Sequence, residues 1–197
     1  MTFFKTTWFR CVACLLILML FSGSSITILA DLLYVSPDMR TARAIKKIYG
    51  EEKAYSTVID IDDGDDKIEY DGVGSINKIY DVSGDMLFQT TGYHGYKEGT
   101  ITLWIKAVNG GEKYAIEKVI LQSFTKQTLI NNLSDKFYEK FTLTDITDMY
   151  NSGNYFFADA KADKTLPANN VVSGATGSST AACNAVNCVI KYFGGER

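Results

Sequence analysis

Apolar and polar residues alternate with a period of two over residues 100–108, where Ile101, Leu103, Ile105 and Ala107 fall on one side and Thr102, Trp104 and Lys106 on the other. This period predicts a strand with one buried face. Asn109-Gly110-Gly111 then supplies a turn and residues 114–124 a return strand, so the pair reads as a hairpin. Shorter β-prone runs at 54–61, 67–70, 76–82 and 86–91 are separated by Gly and Asp clusters, the pattern of an antiparallel sheet.

Elsewhere the period becomes helical. Ser36-Pro37-Asp38 offers an N-cap, a first-turn proline and an acidic first turn. Met39, Ala42, Ile45 and Tyr49 follow on one face, and Gly50 closes the helix. Residues 134–141 predict a short helix capped by Ser134. In residues 180–193 the stripe of Ala182, Cys183, Val186, Val189, Ile190 and Phe193, with Lys191 in the last turn and Gly194-Gly195 beyond it, predicts the final helix. No internal repeat is visible. The sum is an α+β fold, an antiparallel sheet with packed helices.

Residues 11–30 interrupt this pattern: 20 residues without a charge, rich in Leu and Ile. As a helix they span the roughly 30 Å of a bilayer's apolar core. They are read as one N-terminal transmembrane helix. Lys5 and Arg10 before the segment and Asp31 after it then orient residues 1–10 to the cytoplasm and leave residues 31–197 as an extracytoplasmic domain at the cell membrane. A signal peptide cleaved after Ile28-Leu29-Ala30 is the alternative.

Composition narrows the partners. Beyond residue 30 the chain carries 18 Lys and Arg against 23 Asp and Glu, a net charge of −5 that argues against nucleic acid. The acidic run 60–66 has its Gly one position too early for an EF-hand and Asp71 at the twelfth position, so it reads as a solvated turn. Cys11 and Cys14 lie in the apolar segment. Cys183 and Cys188 are five apart, about 140° around a helix, and read as small core residues rather than as a bridge or metal site. His94 is the single histidine, which leaves little for Ser-His-Asp chemistry or a multi-His metal site.

The candidate chemistry lies just before the final helix, in Ser173-Gly174-Ala175-Thr176-Gly177-Ser178-Ser179. A helix N-terminus presents free backbone N–H groups and the positive end of the dipole, and is a natural seat for phosphate. Gly174 and Gly177 remove steric bulk, Ser173, Ser178 and Ser179 add donors, and Thr176 is the central hydroxyl. No base is evident beside Thr176 to activate that hydroxyl.

Ser173-Gly174-Ala175-Thr176 followed by Ser178-Ser179 resembles the flavin attachment motif of the FMN-binding domain in the G subunit of Rnf complexes and the C subunit of sodium-pumping NADH:quinone reductases. Gly92-Tyr93-His94-Gly95 and the two strands after it are similar to that family's Gly-Tyr turn and strand pair, so the likeness covers most of residues 86–193. The resemblance implies FMN joined to Thr176 by a phosphoester, installed from FAD by a separate flavin transferase. It also implies an electron-carrying subunit of a membrane ion-translocating oxidoreductase, not catalytic alone, with the other subunits of the redox complex as partners. Tyr93 and Tyr96 are candidates to face the flavin ring.

Two positions depart from the family. Asn170 stands where it usually has Asp, and its Glu-Thr-Pro-Gly-Leu-Gly loop has no counterpart in residues 124–132. These departures keep two alternatives open: a stand-alone cell-surface flavoprotein for extracellular electron transfer, and a membrane-tethered binding module without a redox role.

Overall fold

A computed structural model describes residues 37–60, 67–111, 113–143, 145–163 and 165–195. The apolar segment 11–30 and most of the acidic run 60–66 lie outside the described residues. The chain divides into two units between Arg43 and Ala44, and the packing below is that of the unit from Ala44 onward.

In chain order the elements are α1 (Pro37–Tyr49), β1 (Ser56–Asp60), β2 (Ile68–Tyr70), β3 (Gly74–Val82), β4 (Asp85–Gly92), β5 (Ile101–Asn109), β6 (Tyr114–Phe124), α2 (Asp135–Glu139), α3 (Ile146–Ser152) and α4 (Thr176–Phe193). The six strands form one sheet in the order β1-β3-β4-β5-β6, with every pairing antiparallel. β2 takes the part of the β3 edge, Gly74 to Ile76, that β1 leaves open. The α+β class read from the sequence is the class observed.

Local chemistry sets the hairpins. Ser83 and Gly84 both have positive φ, 58° and 92°, which is the two-residue turn whose twist matches antiparallel strands. Asp81 Oδ1 accepts from the Gly84 N–H at 3.0 Å and holds that turn. At the β5–β6 turn the Asn109 carboxamide oxygen accepts from the Gly111 N–H at 2.8 Å.

Both faces of the sheet are covered. On one, Phe88, Ile101, Leu103, Ile105 and Ile116 pack with Ala182, Cys183, Val186, Val189 and Ile190 of α4. On the other, Ala44, Ile45 and Ile48 of α1 cover Tyr80, Val82, Leu87 and Trp104. Trp104, on the polar side of the predicted strand, is therefore only 3% exposed. The α1 face differs from the one expected, since Met39 and Ala42 are exposed while Ala44 and Ile48 are buried.

Helix α4 touches the sheet through backbone. A Cβ on Gly92 would stand 1.8 Å from the Ala181 carbonyl oxygen and 2.4 Å from the Ala185 nitrogen. One on Gly74 would meet the Thr91 carbonyl oxygen at 2.2 Å and Cys188 Sγ at 3.1 Å. The opposite flank of α4 is covered too, where the Asn187 side chain accepts from the Phe156 N–H at 3.0 Å and donates to its carbonyl at 2.9 Å. Burial on most sides is why the helix carries Ala181, Ala182 and Ala185 beside its larger stripe. Cys183 and Cys188 are free and buried. Burial pushes the Cys183 thiol up to about 12 and raises that of Cys188 as well, so neither is a nucleophile.

Two helices depart from the pattern. α2 is shorter than predicted, and α3, capped by the Asp145 side chain accepting from the Asp148 N–H at 3.1 Å, has too brief an apolar period to stand out in the sequence. Among the described residues no helix is long and apolar enough to cross a membrane.

Candidate functional site

Helix α4 begins at Thr176, one turn earlier than its apolar stripe suggests, so Thr176 belongs to the first helical turn. Gly174, at φ 82°, makes the bend that allows this start, and Ala175 occupies the cap position without a capping side chain. The first-turn N–H groups of Thr176, Gly177 and Ser178 have no acceptor among the described residues, and the earliest helical bond is Ser179 N–H to the Ala175 carbonyl at 2.9 Å.

The serines do not extend this set of donors. Ser178 is 2% exposed and its hydroxyl donates to Gln127 Oε1 at 2.7 Å. Ser179 is fully buried: its Oγ donates to the Ala175 carbonyl at 3.1 Å and accepts from the Val172 N–H at 3.1 Å. Both hydroxyls thus hold the helix start in place, and only Ser173 and Thr176 of the predicted hydroxyl set reach solvent. The Thr176 side chain is half-buried and makes no hydrogen bond among the described residues.

A cavity of about 150 Å³ lies against this turn, bounded by Tyr96, Thr128, Leu129, Gly174, Ala175, Gly177 and Ser178. Thr176, between Ala175 and Gly177 in the chain, is not itself a lining residue. Gly177 is needed for closeness, since a Cβ there would stand 2.9 Å from the Tyr96 nitrogen. Tyr96 and Leu129 are each 44% exposed and form an apolar rim, with Lys97 Nζ 5.3 Å over the Tyr96 ring. Tyr93 faces elsewhere: its hydroxyl lies 3.1 Å from both Glu69 carboxylate oxygens.

The loop carrying Tyr96 is strained. His94, Lys97 and Glu98 have φ of 60°, 51° and 56°, and His94 Nδ1 sits 3.2 Å from the Glu98 carboxylate. Sequence reading missed Gln127, which is 5% exposed and tied to both the loop and the helix. A lone Gln in a polar stretch gives no periodic or motif signal.

Asn170 is fully buried, donates to the Phe137 carbonyl at 3.1 Å and leaves its Oδ1 without a partner. A cleft of about 760 Å³ lies away from the motif between α3 and the segment carrying Phe156, Phe157 and Leu166.

The residues present fit the phosphate end of FMN in their donor chemistry: among the described residues the first-turn amides have no acceptor and the Thr176 hydroxyl, one residue from the cap, has no partner. The cavity is smaller than the ~300 Å³ at which small-molecule sites begin, so the isoalloxazine ring is not enclosed by these residues. No family model, curated protein or solved structure matches the chain.

Proposed function

We propose that this chain is an electron-transfer flavoprotein that carries FMN as a phosphoester on Thr176. The observation that carries the reading is the first turn of α4, where the half-buried Thr176 hydroxyl and three backbone amides have no hydrogen-bond partner among the described residues. Those amides and the helix dipole hold the phosphate dianion, and the absence of a nearby carboxylate in the cavity walls leaves its charge unopposed. Bound FMN supplies one-electron and two-electron chemistry that no side chain of this fold offers. The protein's part is to fix the phosphate, to keep the flavin from diffusing away, and to present the ring beside Tyr96 and Leu129.

The wider role follows the sequence. With residues 11–30 as a membrane anchor, the domain is a single-pass subunit that stands outside the cytoplasmic membrane and passes electrons within an Rnf-like or sodium-pump-like complex. The test is the intact mass of the protein coexpressed with a flavin transferase. The expected result is a gain equal to FMN less one water, abolished by Thr176→Val. An unshifted mass beside an active transferase overturns it.

A second reading, a membrane-tethered binding module without redox function, is favoured by one observation: a cleft of about 760 Å³, five times the volume of the cavity beside the motif, lies away from it. Colour distinguishes the two, because flavin absorbance that stays with the denatured chain supports the first and a colourless protein from the coexpressing strain the second.

A further inference from the structure

We propose that Gln127 is the positioning residue for flavin attachment; this rests on the reading of Thr176 as the acceptor. Its carboxamide is bonded to two walls of the cavity beside that residue. Oε1 accepts from the Ser178 hydroxyl at 2.7 Å and from the Tyr96 N–H at 3.2 Å, while Nε2 donates to the Thr125 carbonyl at 3.0 Å. The remaining wall, Thr128 and Leu129, follows Gln127 directly in the chain. The neighbouring backbone is shaped around this side chain: a Cβ on Gly95 would stand 2.3 Å, and one on Gly99 2.5 Å, from Gln127 Nε2.

Two consequences bear on the transfer. Drawing the Ser178 hydroxyl into the protein fixes the rotation of the first turn of α4 and so the direction of the Thr176 side chain two residues before it. Holding the Tyr96 N–H keeps the strained 94–98 loop pressed against Gly177. In the transfer, Thr176 Oγ attacks the FMN phosphorus of FAD, the bond from that phosphorus to the bridging oxygen breaks, and AMP leaves with that oxygen. The threonine proton passes to a base on the transferase. Gln127 touches none of these atoms, so it acts through the orientation of the acceptor.

The experiment measures transfer to the full-length protein in detergent, with purified flavin transferase, FAD and magnesium, followed by intact mass. Gln127→Leu is expected to lower kcat about tenfold or more with KM for the chain unchanged, and Ser178→Ala about fivefold, the range set by losing one or two net hydrogen bonds. Gln127→Glu adds a discriminating signature. The protonated acid is isosteric with Gln and can donate to the Thr125 carbonyl, so its rate relative to wild type recovers as pH falls. A Gln127→Leu rate equal to wild type overturns the proposal. So do rates that track only the melting temperature and show no recovery of Gln127→Glu at low pH. Failure of the wild-type chain to take up flavin, while a control acceptor domain does so, overturns the Thr176 reading itself.

Discussion

Gly92 of β4 and Ala181 of α4 meet backbone to backbone, with room for no atom between them: a Cβ on Gly92 would lie 1.8 Å from the Ala181 carbonyl oxygen. Gly92 has no positive φ, so the requirement is one of space alone. Gly92→Ala forces α4 off the sheet along the length that holds Ala182, Cys183 and Val186 in the core. The expected loss is about 3 kcal/mol or more, a fall in Tm of roughly 10 °C for a domain of this size, read by thermal melting. A Tm within 2 °C of wild type, taking ~2 °C as less than one kcal/mol here, contradicts the packing described.

Asn170 gives a second, less intuitive prediction. Restoring the Asp usual in the resembled family should harm the fold here, because the side chain is fully buried, its Nδ2 donates to the Phe137 carbonyl, and its Oδ1 already has no donor. An ionised carboxylate at this position loses the donor and faces that carbonyl. Its folded pKa is raised, so Asn170→Asp is mild at acid pH, where the group is neutral, and costs about 2–4 kcal/mol as pH rises past its unfolded value. Urea midpoints of variant and wild type from pH 4 to 8, a range of about four units spanning an ordinary carboxylate, check this. A difference that does not grow with pH counts against it.

Asp145 predicts the opposite slope. A hydrogen bond from Lys113 holds its carboxyl below the usual carboxylate value, aided by the Asp148 N–H that it caps. A depressed folded pKa contributes stability that is present above the unfolded value of about 3.9 and is lost as pH falls through the folded one. Asp145→Asn keeps a competent N-cap while removing the charge. Its destabilisation is therefore expected at neutral pH and should vanish in strong acid, measured by urea midpoints against pH. An unchanged deficit at low pH would show that the cap, and not the ion pair, is the source.

The elements that the sequence made legible are those whose burial follows a simple period. β5 is one, with Ile101, Leu103, Ile105 and Ala107 all fully buried on the α4 side. The α4 stripe is another. What escaped was set by tertiary contact. The first turn of α4 contains Thr176 to Ser179, small polar residues whose helical state depends on the Ser178 and Ser179 hydroxyls finding Gln127, Ala175 and Val172. Trp104 looked like a solvent-facing residue until α1 covered it. Of the motif, Gly174, Ala175, Gly177 and Ser178 line the cavity, while the Ser178 and Ser179 hydroxyls are bonded within the protein and brace the helix start.

The backbone contact between Gly92 and α4 also bears on electron transfer. Where Gly92 meets Ala181 and Ala185 no side chain separates α4 from the sheet, so this stretch of the helix has no room to shift when a charge arrives at its first turn. A redox group tethered at Thr176 would therefore change its charge over a frame that stays still, leaving surface water to supply most of the reorganisation energy.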